Sequence, residues 1–365
     1  MSGSRQRTSR AVVLEGPARI TISSFPLPEI GPDDGLLRVE MAGLCGTDVK
    51  CWAGKLSTPY PIILGHEIVG RIEAIGEQAS ARYGVKRGDR VIVEGHACWS
   101  CSWCRRGEYR FCVDKRWYGL GVPITEPPAL WGALAEYMYI APGSIIHRVP
   151  DGMSPEVATA AALLANGIEW LERKGTASSG DRIVIQGAGP QGLAATLVAR
   201  QIGARQVIVT GLARDAARLE LARDLGADHT VVADEVDVVQ AVTDLTDGEL
   251  ADVVLDVSGS PRAVQASVEV VRPLGTLVLG GLTGDETVTP LKLDRIVWNE
   301  IRVQGVFIKG EHAFARAIEL SSRVADRYPI DRIVSHRYSL DEAEDALRAA
   351  AGAGPADFVK GAVVP

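Results

Sequence analysis

Apolar positions in the first 140 residues come in short runs: Ala11 to Leu14, Leu36 to Val39, Ile68 to Ile75 and Arg90 to Val93, separated by Gly, Pro and Asp. Runs of that length between turn formers predict strands, so this stretch reads as β-rich with long loops. The pattern changes after Gly180-Asp181. An apolar strand from Arg182 to Gln186 is followed by Leu193, Leu197, Val198 and Ile202 on one helical face. Strand and helix then alternate: Gln206 to Thr210, a helix near Asp215 to Leu225, Asp228 to Val232, a helix near Glu235 to Leu245, Asp252 to Val257, a helix from Pro261, and Thr276 to Leu279. Such alternation specifies a doubly wound parallel α/β sheet with helices on both faces, here running from about Leu164 to about Phe307. Beyond Lys309 the pattern predicts a helix from His312 to Val324, a short strand near Ile333 to Tyr338, a helix opened by Ser339 with Glu342 as its capping box, and a last apolar pair, Val363-Val364.

Composition narrows this picture. A chain of 365 residues is long enough for about two domains, and 46% apolar residues supply a sizeable core. A net charge of -7 argues against general nucleic-acid binding and against anionic membrane surfaces, both of which need a basic face. The longest apolar run, Val157 to Ala165, breaks at Asn166-Gly167, too short to span a bilayer. Arg5, Arg7 and Arg10 precede no apolar leader, so the first ten residues read as a short disordered tail on a cytoplasmic protein. Four of the six cysteines crowd between Cys98 and Cys112, which points to metal rather than disulfides.

The spacing Cys98-x2-Cys101-x2-Cys104-x7-Cys112 places four thiolates on one lobe, roughly 95–115. Four sulfurs close a tetrahedral zinc sphere, so that site is expected to be structural. A second set, Cys45-Gly46-Thr47-Asp48 and Leu64-Gly65-His66-Glu67, gathers a thiolate, an imidazole and a carboxylate, ligand types that suit a Lewis-acid zinc. Gly43 and Gly65 stand beside these ligands, where a bare backbone lets side chains converge. Between the predicted strand and helix sits Gly187-Ala188-Gly189-Pro190-Gln191-Gly192, whose glycines permit a tight turn and close approach of a pyrophosphate at a helix N-terminus. A Pro-rich loop from Leu120 to Trp131 is flanked by Trp117, Tyr118 and Trp131 and reads first as loop packing, second as a pocket wall.

Taken together, Cys45 to Asp48, Gly65-His66-Glu67, the four-cysteine lobe, the glycine turn and Asp252 to Gly259 resemble the zinc-containing medium-chain dehydrogenases, the alcohol, sorbitol and threonine dehydrogenase superfamily. The resemblance implies a GroES-like β-rich catalytic domain over residues 1–163, a Rossmann coenzyme domain over 164–307, and a return segment, 308–365, that completes the first domain. It implies two zinc ions per chain, NAD or NADP, and hydride transfer between an alcohol and the nicotinamide. Cys45 and His66 then become catalytic ligands, Thr47 the hydroxyl that takes the substrate's proton, and Asp48 the acid that orients His66. Lys50 stands where many relatives carry the histidine that ends the proton relay, and Cys51 matches no ligand. A nucleotide-binding sensor without chemistry is the rival of another class, and retention of Cys45 and His66 speaks against it.

Three finer expectations follow from the resemblance. The usual third ligand position falls on Leu164 or Ala165, which cannot bind zinc, so Glu67 is expected to serve with a water, and Glu169 is the weaker choice. Val209-Thr210 is followed by Gly211-Leu212-Ala213-Arg214 with no strand-end carboxylate, which leans towards NADP, with Arg214 or Arg218 meeting the 2′-phosphate and Asp215 available to NAD as the alternative. The substrate is expected to be a secondary alcohol, bulky or cyclic, or its ketone; a polyol or amino-alcohol is the alternative. Relatives are mostly dimers or tetramers, and a homo-oligomer is expected here.

Overall fold

The computed structural model describes residues 7–284 and 287–365. The expected tail at residues 1–10 lies largely outside them, and from Thr8 onward the chain is already in a strand. Two compact units are present, one formed by residues 1–162 and 334–365, the other by 163–333. No helix of the described residues is long and apolar enough to cross a membrane.

The first unit is a pair of largely antiparallel sheets. Strand Thr8–Gly16 lies between Arg19–Pro26 and Ile62–Ile63, which explains why Ala11 to Leu14 are buried without alternation. In the larger sheet, Gly35–Gly43 is central, with Glu67–Ile75 on one side and Gly361–Val363 and Tyr137–Ile140 on the other. Arg90–His96 and Ser144–Arg148 extend it beyond Glu67–Ile75, while His336–Tyr338 pairs with Gly361–Val363. Leu14, Leu37, Ile68 and Leu134 anchor the core with 0–1% exposure, each adding about 1.5–3 kcal/mol by burial. Tyr118 and Trp131 belong to this core, stacked at 5.7 Å, so the flanking aromatics act mainly as packing.

The second unit holds a six-stranded parallel sheet in the order His229–Val232, Gln206–Gly211, Arg182–Gln186, Ala251–Asp256, Val271–Leu279, Arg302–Gly305. Counted from Arg182–Gln186 this is 3-2-1-4-5-6, the doubly wound arrangement whose ligand crevice opens where the order reverses. Helix Pro190–Ile202 buries Leu193, Leu197 and Val198 as its face predicts. The sixth strand escapes the hydrophobic pattern because Arg302-Val303-Gln304-Gly305 is an exposed edge with one apolar residue.

Helix Glu311–Val324 counts with the second unit, so the chain rejoins the first at Val334 and not at 308. Its Arg316 pairs with Glu172, and Arg332 with Asp224 at 2.6 Å, ties within the second unit that a boundary drawn at a helix start does not foresee. The segment Ile330–Ile333 is a 3-10 turn, which shortens the predicted strand to His336–Tyr338. The capping box forms as expected, with Ser339 donating to Glu342 from both its N–H and its hydroxyl at 2.8 Å.

Candidate active site

Strand Gly35–Gly43 ends two residues before Cys45, which caps the short helix Gly46–Trp52. Asp48 is the third residue of that helix and is fully buried. One of its oxygens accepts the Cys45 N–H at 2.9 Å; the other accepts the Gly65 N–H at 3.3 Å and lies 3.3 Å from His66 Nδ1. Asp48 therefore ties the cysteine loop to the histidine loop and lies beside the imidazole, where a carboxylate can orient a histidine that ligates a metal. Gly65 has φ +96, and a Cβ there would sit 2.9 Å from the Leu134 nitrogen, so only glycine makes this corner.

Glu67 opens the strand after His66. A ligand atom from each of Cys45, His66 and Glu67 lies within 4.8 Å of the other two. A soft thiolate, an imidazole and a carboxylate at that separation suit zinc, with a fourth position left for a small oxygen ligand. Burial alone would push the Cys45 thiol up, but His66 beside it brings it down; burial opposes a charge on His66, yet Asp48 and Cys45 raise it well above the usual range. The Thr47 hydroxyl lies 3.7 Å from Cys45 Sγ, at the rim of the same cluster. Cys51 is buried and outside the cluster, while Glu169 accepts from Arg173 at 2.9 Å. Leu164 and Ala165 are fully buried.

One residue of this cluster went unread in the sequence. Lys360, 3% exposed, places Nζ 2.7 Å from Glu67 Oε2 and donates to the Leu44 carbonyl at 2.6 Å. It lies 316 positions from Leu44, and no spacing rule connects the two.

The four-cysteine lobe is built by a short helix, Ser102–Arg105, and a 3-10 turn, Tyr109–Phe111. Cys98, Cys101, Cys104 and Cys112 bring their sulfurs within 4.8 Å of one another, with Cys98 and Cys104 at 3.9 Å. All four are free thiols, so the disulfide alternative is absent. Backbone N–H groups aimed at Cys98, that of Ser100 first, bring its thiol down to about 6, whereas burial pushes Cys104 up to about 12. The sulfur set fits a closed tetrahedral metal.

In the second unit the glycine turn needs its glycines. Gly187 has φ +112, and a Cβ on Gly192 would fall 1.9 Å from the Gly187 oxygen. Gly189 caps helix Pro190–Ile202 with no side-chain bond, and Pro190 carries no N–H, so the first turn keeps its free donors for an anion. Gln191 is tied down at both ends of its amide, donating to the Leu163 carbonyl and accepting from Asn166, each at 3.0 Å; its backbone N–H is the group it offers. At the end of the second strand, Gly211 lies close under Leu219 and Ala188. Asp215 accepts the Leu212 N–H at 3.0 Å and Arg218 at 2.9 Å, so both its oxygens are engaged. Arg214 is exposed and has no ion pair among the described residues. Sequence reasoning also passed over Asp256, fully buried at the end of the fourth strand, where burial pushes its carboxyl up to about 6 against the help of Ser258.

Comparison with known proteins completes the description. The alcohol dehydrogenase GroES-like domain family matches residues 31–151, and the zinc-binding dehydrogenase family matches residues 190–323. The chain is 43% identical over 350 residues to a probable alcohol dehydrogenase of Mycobacterium tuberculosis, covering 94% of each chain. It is 33% identical to an L-threonine 3-dehydrogenase of Pectobacterium atrosepticum, covering 90% of this chain and 88% of that one. Among solved structures, a zinc-binding dehydrogenase of Sinorhizobium meliloti bound to NADP superimposes with a TM-score of 0.86 at 29% identity, covering 99% of this chain and 100% of the other.

Proposed function

The chain belongs to the zinc-containing medium-chain dehydrogenases, as a zinc-dependent, NAD(P)-linked alcohol oxidoreductase, and within that family we propose the following division of labour among its residues. Cys45, His66 and Glu67 hold one zinc, and Cys98, Cys101, Cys104 and Cys112 hold a second, structural one. At the first site the metal supplies Lewis acidity towards the substrate oxygen. Thr47 takes the proton of the substrate hydroxyl, and Asp48 keeps His66 in the ligating tautomer. The Gly187 to Gly192 turn would hold the pyrophosphate of the coenzyme, which would supply the hydride acceptor.

The observation that carries the metal assignment is the convergence of one sulfur, one imidazole nitrogen and one carboxylate oxygen within 4.8 Å, with no cysteine at the usual third position. Glu67→Gln tests it. Elemental analysis is expected to fall from two zinc ions per chain to one, with activity lost by about 100-fold or more and the fold intact. A variant that keeps both metals and near-normal turnover removes Glu67 from the ligand set.

The cofactor reading is NADP over NAD. Support comes from Arg214, exposed and with no ion pair among the described residues, and from Asp215, whose two oxygens are already committed to Leu212 and Arg218. The substrate reading is a secondary alcohol, bulky or cyclic. A polyol or amino-alcohol is the second reading, favoured by the threonine dehydrogenase relative. Turnover across cyclic, aliphatic and polyhydroxy alcohols, with each cofactor, separates the two.

For quaternary structure the reading is a homodimer or homotetramer. Among the described residues Arg302–Gly305 is an edge of the six-stranded sheet, and in the short helix that precedes it in the chain Leu293, Val297 and Trp298 are 67%, 69% and 83% exposed. Exposed apolar side chains and an open sheet edge are each features that a second copy related by a two-fold axis covers. A cytoplasmic location accords with six cysteines that form no disulfide.

A further inference from the structure

We infer that Lys360 is a positioning residue of the Cys45, His66 and Glu67 site: its ammonium holds one oxygen of Glu67 and leaves the other to face the metal. The inference rests on the reading that Glu67 is a ligand. Three neighbouring strands produce the arrangement. Gly43 ends the central strand, level with Glu67 on one neighbour and with Ala362 on the other. Glu67 and Lys360 reach over Gly43 from its two sides, and glycine leaves the room: a Cβ there would lie 2.4 Å from Glu67 Oε2. The backbone at Lys360 is held as well, since Ser335 Oγ accepts the Val359 N–H at 2.9 Å and the Lys360 N–H at 3.2 Å. A lysine ordinarily keeps its ammonium in water, and this one has given that up for a carbonyl and a carboxylate.

Charge gives the second argument. A thiolate at Cys45 and carboxylates at Asp48 and Glu67 place three negative charges where Asp48 is 0% and Glu67 8% exposed. A divalent cation offsets two of them, and the Lys360 ammonium offsets the third. Removing the ammonium leaves a buried carboxylate unpaired and free to turn away from the metal, and a buried ion that loses its partner is strongly destabilised.

The test is the affinity of the zinc-depleted full-length chain for Zn2+ at this site, read by chelator competition, with retention of the lobe zinc and the thermal midpoint as controls on folding. Lys360→Met is expected to weaken binding about 10–100-fold, the usual effect of removing a partner behind a ligand. Lys360→Arg, which keeps charge and donors, is expected to restore most of it. Lys360→Gln still reaches towards the Leu44 carbonyl without charge and carries the same comparison if Lys360→Met does not fold. The deciding measurement is the double variant. If Lys360 acts through Glu67, adding Lys360→Met to Glu67→Gln changes the affinity less than about 2-fold. An equal loss in both backgrounds, or an unchanged affinity in Lys360→Met alone, overturns the inference while leaving Glu67 as a ligand. An unchanged affinity in Glu67→Gln alone overturns the Glu67 reading itself, and the inference with it.

Discussion

Gly43 shows how much a missing side chain can carry. The space over it is taken by Glu67 Oε2, 2.4 Å from where a Cβ would stand, and by the Thr159 methyl at 2.7 Å. Gly43→Ala is therefore expected to push Glu67 aside, at a cost of about 1–3 kcal/mol, and to release the first zinc while the lobe zinc stays. Metal content falling from two to one, with little change in the lobe's resistance to chelation, is the result to look for. Asp256 offers a test without metal. Its folded carboxyl titrates near 6, raised from the usual 3.8 by burial, so the folded state holds this proton more tightly than the unfolded chain does. The associated stability is full below about pH 4 and is lost as pH rises through 6. Asp256→Asn, a neutral mimic of the protonated form, is expected to raise stability at pH 7.5 by about 1–3 kcal/mol, and the gain should shrink towards pH 4.5. Thermal midpoints of both proteins across that range check the sign. At this scale the clustering of Cys45, His66 and Glu67 was legible in residue types that suit a metal within one short stretch, while Asp48 stood out only through the family resemblance. Lys360 and Asp256 were not legible: a lysine and an aspartate look like surface residues until the fold buries them.

Strand ends do the positioning in the second unit. Arg182–Gln186 was expected and found with the same limits, because five residues between Asp181 and Gly187 leave no other solution. The glycine turn that follows is forced by contact, with Gly192 against the Gly187 oxygen. The next strand end, Gly211 to Arg214, is where the proposed preference for NADP is put to the test. Arg214→Ala is expected to raise KM for NADP about 10-fold, the worth of one hydrogen bond to a charged group, while changing KM for NAD less than about 2-fold. Equal changes with both cofactors would mean that Arg214 does not meet the 2′-phosphate. Two of the elements that sequence reasoning missed have a wet face and little apolar content. Arg19–Pro26 and Arg302–Gly305 both carry exposed positions along most of their length, and neither makes an apolar run.

At the scale of the whole molecule, the proposed self-association is tested at the exposed residues of the helix Leu293–Trp298. Trp298→Glu puts a charge on a residue that is 83% exposed, so it is expected to leave each chain folded while light scattering reports a mass reduced to that of a monomer or a smaller assembly. A mass unchanged by the substitution would place the contact elsewhere. The two-part architecture was legible because a change of hydrophobic period, from short strands to alternating strand and helix, marks it. The second crossing point was not, since helix Glu311–Val324 looks the same whichever unit it joins.

The first unit is made from both ends of the chain, and this has a bearing on the order in which the protein is synthesised. Residues 163–333 are contiguous and emerge with everything their own sheet needs, so that unit is free to fold while translation continues. The larger sheet of the first unit must wait for Gly361–Val363 to pair with its central strand, and Glu67 must wait for Lys360. Until then the carboxylate beside His66 has no partner. A nascent chain stalled before Lys360 holds Cys45, His66 and Glu67 without the cation proposed to steady them, so the ribosome, by the order of its work, puts off that arrangement until Lys360 has been made.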